Sequence, residues 1–158
     1  MKSIPLTKGY KVLVDDSDYE YLMTFKWSAS ESNGGGHVCA KTGGGKHRQV
    51  MHRLLMEAGP GQVVDHINGN PLDNRRGNLR LVTKRWMNNA NTGKVREGSS
   101  IYKGVTYHKA SERWSAHIAR ENTSYHLGLF DTERDAAIAY NVASRFLHGE
   151  WGRLNDVE

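Results

Sequence analysis

The residues best equipped for chemistry crowd into one stretch, VVDHINGNPLDNRRGNLRLVTKRWMNNAN, from Val63 to Asn91. Asp65 and His66 set an acid beside an imidazole, and Asn78, Asn88 and Asn91 add amides within the same span. Cleavage of a phosphodiester needs an activated water, neutralised charge on phosphorus and a stabilised leaving oxygen. A histidine titrating near neutrality suits the first need. A hard divalent cation with oxygen ligands supplies the other two. Asp65 offers a carboxylate and a helix asparagine offers an amide oxygen. The stretch is suited to metal-assisted phosphodiester hydrolysis.

Local elements must bring these groups together. Val63 and Val64 form a short apolar run that delivers Asp65 and His66 to a strand end. Asn68-Gly69-Asn70-Pro71 break the chain with turn residues. Asn78 to Thr83 reads as a returning strand, and Thr83 can cap a short helix carrying Trp86, Asn88 and Asn91. Successive strand residues point to opposite faces, so Asp65 and His66 converge only if the strand ends or twists there, and the Asn68-Gly69 turn provides that. Upstream, VMHRLLM (Val50–Met56) has helical spacing and ends before Gly59-Pro60, bringing His52 and Arg53 close in sequence.

The pattern DH-x-x-GN-x-x-DNR-x-x-NLR-x-VT, followed by an asparagine-rich helix, resembles the HNH endonuclease core in the subtype where asparagine replaces the last histidine. The resemblance spans roughly residues 48–91. It implies that His66 is the general base and that Asp65 with a helix asparagine holds one Mg ion, or another divalent metal such as Mn. It also implies that Asn78 orients the loop and the base by hydrogen bonding. The family places its helix asparagine four residues after the VT threonine, where this chain has Met87. Asn88, about 100° further around the helix, is the expected ligand, with Asn91 as the alternative. Arg75, Arg76 and Arg80 are expected phosphate contacts.

Composition narrows the setting. The chain has 158 residues, 37% hydrophobic and 25% charged, enough for one domain or two small ones. No apolar run approaches the roughly 18 residues of a membrane span, and no signal-peptide pattern opens the chain. The single cysteine, Cys39, excludes an internal disulfide and a multi-cysteine zinc site. His37, Cys39 and His47 lack a fourth zinc ligand at the right spacing. A cytoplasmic location follows as the expectation. From Lys41 to Lys109 there are thirteen Lys/Arg against four Asp/Glu, so the net charge of +5 is concentrated around the candidate site. Such a basic stretch favours a polyanion as partner.

Residues 1–50 read as a small β-rich platform. Tyr10–Val14 is a strand, Asp15, Asp16 and Asp18 are turn or capping residues, and glycine clusters at Gly34–Gly36 and Gly43–Gly45 bracket a further strand. Asn91 to Ser100 reads as a polar, basic linker with Lys94 and Arg96.

Beyond it, Val105–Tyr107, Trp114–Ile118 and Tyr125–Phe130 alternate with period two, each followed by a break. Glu133–His148 is amphipathic, with Thr132 as its N-cap and Gly149 as its stop. Ala136, Ala139, Tyr140, Ala143 and Leu147 fall on one face. The pattern YKGVTYH…RWSAHIA…YHLGLFDTERDAAIAYNVASRFLHG resembles the plant APETALA2/ethylene-response-factor DNA-binding domain. That family implies a sheet laid in the DNA major groove with a helix behind it. Apolar Trp114, Ala116 and Ile118 must cover the helix, so Ser115, His117 and Ala119 face outward. The resemblance then assigns DNA contacts to Lys103, Thr106, His108, His117 and His126, with phosphate contacts through Lys103 and Lys109. Plant members carry arginine and tryptophan at several of these positions, and their replacement here implies altered base readout.

The expected fold is α+β: a platform with an HNH core over residues 1–91, a linker over 92–100, and a three-stranded antiparallel sheet packed on one helix over 101–154. The expected activity is sequence-directed cleavage of double-stranded DNA, as in phage homing endonucleases, by a monomer with one metal ion. The alternative is a DNA-binding regulator with an inactive core.

Overall fold

The computed structural model describes residues 1–31, 37–43, 48–83, 85–93 and 98–157, without the side chains of Arg85 and Trp86. The glycine loop at 32–36, His47, and the linker residues Lys94 and Arg96 lie outside the described residues. Mixed helices and antiparallel sheets make the chain α+β. It divides into two units, Met1–Thr83 and Lys84–Glu158.

In the first unit, β1 (Lys2–Pro5) and β2 (Lys11–Val14) form an antiparallel hairpin, with Lys2 opposite Val14 and Pro5 opposite Lys11. The helix α1 (Asp16–Met23) follows. A three-stranded sheet, β3 (Trp27–Glu31), β4 (Val38–Thr42) and β5 (Gln49–Val50), runs straight into α2 (Met51–Leu55). The hairpin of β6 (Val63–His66) and β7 (Leu79–Val82) completes the unit. Ile4, Val12, Leu22, Trp27, Met51 and Val64 share one apolar core, so platform, α2 and site hairpin are a single packed body. The Trp27 indole N–H donates to the Leu22 carbonyl at 2.7 Å, which satisfies the one polar group that this buried ring brings inward.

The second unit begins with α3 (Arg85–Asn91), which the sequence grouped with the first half. Then β8 (Val105–His108), β9 (Arg113–Arg120) and β10 (Thr123–Phe130) form an antiparallel sheet with β9 in the middle. The helix α4 (Glu133–His148) packs Ala136 and Ala137 against Val105 and Ala116. The Thr132 hydroxyl accepts from Asp135 N at 3.0 Å, and Gly149 ends the helix at φ +56°. Gly104 has φ +74°, and a Cβ there would lie 2.3 Å from the Tyr140 ring and 2.5 Å from the His117 carbonyl. Only glycine fits that position. Beyond α4, the Asn141 side-chain amide brackets the backbone of Asn155 at 2.7 and 2.9 Å, and the Asn155 side-chain amide brackets the backbone of Lys103. This clamp extends the unit past residue 154.

Candidate active site

The β6–β7 register sets Asp65 opposite Arg80 and His66 opposite Leu79. Asp65 and His66 are both 8% exposed and have different surroundings, as strand alternation dictates. On one side, Arg80 Nε donates to Asp65 Oδ2 at 2.9 Å. On the other, the His66 ring meets His52 of α2 edge to face, with centroids 5.0 Å apart. Burial pushes the His66 pKa below its usual 6.5; a hydrogen bond with Asn74 and the charges of Asp65 and Asp73 pull the other way. The net effect keeps the ring neutral at pH 7, the form a general base requires. His52 is pushed down to about 4, first by burial and then by His66, Arg53 and Lys41.

The loop between the strands is closed by its own amides. Asn78 Oδ1 accepts from Asn68 N at 3.0 Å, while Asn78 Nδ2 donates to Asn68 Oδ1 at 3.0 Å and to the Asp73 carbonyl at 2.8 Å. Asn70 N donates to Asn68 Oδ1, and Leu72 N to Asn70 Oδ1. Gly69 takes φ +72° at the tip. Asn74, buried, is stitched to β2 through its N–H to the Leu13 carbonyl, and Leu13 N returns a bond to Leu72 O, both at 2.8 Å. The asparagines of this stretch therefore hold the turn that follows His66.

Two of the three arginines expected on phosphate are paired with carboxylates, with side chains 42% and 52% exposed. Arg75 forks onto Asp73, Nε to Oδ1 at 2.7 Å and Nη2 to Oδ2 at 2.6 Å. Arg76 forks onto Asp18 at 2.8 Å on both oxygens, and its Nη1 donates to the Leu55 carbonyl at 2.9 Å. Asp15 accepts from Arg76 N at 2.8 Å. The acidic cluster at Asp15 and Asp18 thus anchors the site loop to α1 instead of capping that helix, whose N-cap Asp15 makes no side-chain cap bond.

Among the described residues no three His, Cys, Asp or Glu side chains are placed to hold a metal. A single carboxylate still fits Mg, which keeps several waters and uses few protein ligands. Asp65 is the carboxylate that the sequence offers for this part. The amide candidates, Asn88 and Asn91, lie on α3 in the second unit, Asn91 buried and Asn88 half-buried.

On the sheet of the second unit, Thr106, His108, His117 and His126 are exposed, as is Lys109. His117 and His126 are cross-strand partners with ring centroids 4.9 Å apart. Ser115 Oγ lies 2.8 Å from His117 Nε2 and 3.4 Å from His126 Nδ1, tying both rings to one hydroxyl. The sequence placed Ser115 on this face without giving it a role. A bulge at Leu127 in β10 shifts the register, so that Leu129 rather than Gly128 pairs with Ser115. Lys103 turns its amine toward the protein itself. Its Nζ donates to the carbonyls of Ala90 at 2.6 Å and Asn89 at 3.2 Å, closing the end of α3. Burial, with Arg153 nearby, pushes it down to about 8.

A model of the HNH endonuclease family matches residues 49–88. Protein 3.8 of Escherichia phage T7 is 30% identical over 109 residues, 69% of this chain and 88% of that protein. An uncharacterized HNH endonuclease of Acanthamoeba polyphaga mimivirus is 29% identical over 154 residues, 96% of this chain and 78% of that protein. An AP2-like ethylene-responsive transcription factor of Arabidopsis thaliana is 49% identical over 49 residues, 30% of this chain but 10% of that protein's length. No solved structure matches the chain.

Proposed function

We infer, for a chain that belongs to the family of phage T7 protein 3.8 and carries an HNH endonuclease domain, that it is a metal-dependent endonuclease acting on double-stranded DNA. The observation that carries this reading is the pairing at the end of β6 of a buried carboxylate, Asp65, with a buried imidazole held neutral, His66. His66 takes the proton of the attacking water on a ring nitrogen. Asn74 and His52 limit how that ring can turn, and Asn78 fixes the loop that follows it. Asp65, with Asn88 or Asn91, would hold one Mg or Mn ion. Such an ion neutralises charge on the phosphate and stabilises the leaving oxygen.

The sheet of the second unit engages the duplex and directs the cut to its site, as in homing endonucleases. Two features support this part: the likeness to the AP2-like factor and an open face bearing Thr106, His108, His117 and His126, with Lys109 at its edge. Lys103 is left out of the contact set because its amine is bound to carbonyls of α3, whereas Arg75 and Arg76 stay in it, half exposed beside their carboxylates.

The test is incubation of supercoiled plasmid with the protein in Mg and in EDTA. The reading predicts Mg-dependent nicking that chelation abolishes, with DNA still shifted on a gel in EDTA. Intact plasmid in both, with the shift retained, would instead identify a DNA-binding protein with an inactive core.

A further inference from the structure

The carboxylate assigned to the metal already faces a cation. Asp65 and Arg80 are direct cross-strand partners, with Arg80 Nε and Nη2 each 2.9 Å from the same oxygen, Oδ2. Their side chains are 9% and 14% exposed. Burying such opposite charges as a pair costs less than burying either one alone. The same guanidinium weakens the attraction of that carboxylate for a second cation. A divalent ion that binds Asp65 must therefore displace Arg80 or share the carboxylate with it.

We propose that Arg80 is the internal counter-ion of the metal-binding carboxylate, holding Asp65 in place while making divalent-cation binding weak until a DNA phosphate arrives. The proposal rests on the reading of Asp65 as a metal ligand, and it gives Arg80 a positioning role in place of the phosphate contact expected from sequence. The phosphate brings negative charge that offsets both cations, so metal and DNA bind with positive coupling, each tightening the other. Mg commonly completes its shell with waters and substrate phosphate. A site whose carboxylate is partly neutralised by arginine depends on that phosphate all the more.

The experiment is titration of the full chain with Mn, following the electron paramagnetic resonance signal of the free ion, with and without a duplex oligonucleotide. Wild type is compared with Arg80→Gln, Arg80→Lys, Asp65→Asn and the Arg80→Gln/Asp65→Asn double variant. Without DNA, Arg80→Gln should bind Mn about tenfold more tightly than wild type, Arg80→Lys should stay within about threefold, and the double variant should lose the gain. Arg80→Gln binding no more tightly than wild type, while Asp65→Asn abolishes the Mn binding seen with duplex, overturns the proposal and leaves Asp65 as a ligand. Mn binding that never depends on Asp65, with or without duplex, removes both the ligand assignment and the proposal. If Arg80→Gln does not fold, wild type decides by the nuclear magnetic resonance signal of Arg80 Nε–H. It should hold still with Mg alone and move when Mg and duplex are added together. Movement with Mg alone, or none with both, contradicts the proposal.

Discussion

His52 of α2 meets His66 of β6 edge to face, with 85° between the ring planes. One ring belongs to the proposed base and the other to the helix just before the core. Burial holds His52 at about 4, so at neutral pH it is an uncharged wall and does not compete with His66 for a proton. Edge-to-face packing of two neutral rings fixes orientation without adding charge.

Stability should therefore fall in mild acid. The folded-state pKa of His52 lies below the ordinary 6.5, so the unfolded chain takes up its proton first as pH drops. Its contribution is fully present above about pH 6.5 and is lost progressively as pH falls toward 4, by up to about 3 kcal/mol. His66 is shifted in the same direction. Urea unfolding at pH 7 and pH 4.5 measures the loss, and His52→Phe should flatten the profile. A His52→Phe profile as steep as wild type would contradict the assignment.

Asn78→Ala removes three hydrogen bonds that close the loop. The expected cost is about 2 kcal/mol of stability. Nicking should fall about tenfold or more, as when an orienting partner is lost, while DNA affinity changes less than threefold. Plasmid nicking and gel-shift titration at one salt concentration check the split.

Much of this was legible in the chain, and the gaps have physical causes. Val63-Val64 followed by Asn68-Gly69 announces the β6 end and its turn, and period-two alternation finds β8, β9 and β10. By contrast β1 has one buried residue, Ile4, and a proline, and exists as a strand through pairing with β2. The partners of Arg76 were invisible because Asp18 lies 58 residues away, and an arginine paired through tertiary packing reads like one bound for phosphate. The partners of Lys103 were hidden in a similar way, since they are backbone carbonyls of α3. Arg80 was the subtlest case, because its partner Asp65 is set by hairpin register alone.

The sheet face and Lys103 should separate in DNA binding. His117→Ala/His126→Ala is expected to weaken duplex affinity about tenfold with little change in unfolding midpoint. Lys103→Met should lower the midpoint and leave the salt dependence of DNA affinity unchanged, since its amine is bound to Ala90 and Asn89. A shallower salt slope for Lys103→Met would return that residue to the phosphate set.

Gly104→Ala tests the packing behind that face. The new methyl would meet the Tyr140 ring and the His117 carbonyl at a positive φ. A loss of roughly 3 kcal/mol or more is expected, seen as a lowered unfolding transition and failure to shift duplex DNA.

The central claim is that His66 is the base of a DNA-cutting site. The direct measurement is the single-turnover nicking rate of His66→Ala in Mg, with DNA affinity measured on the same preparation. His66→Ala should lose about a hundredfold or more in rate with affinity within threefold of wild type. Nicking at the wild-type rate by a folded His66→Ala protein would contradict it.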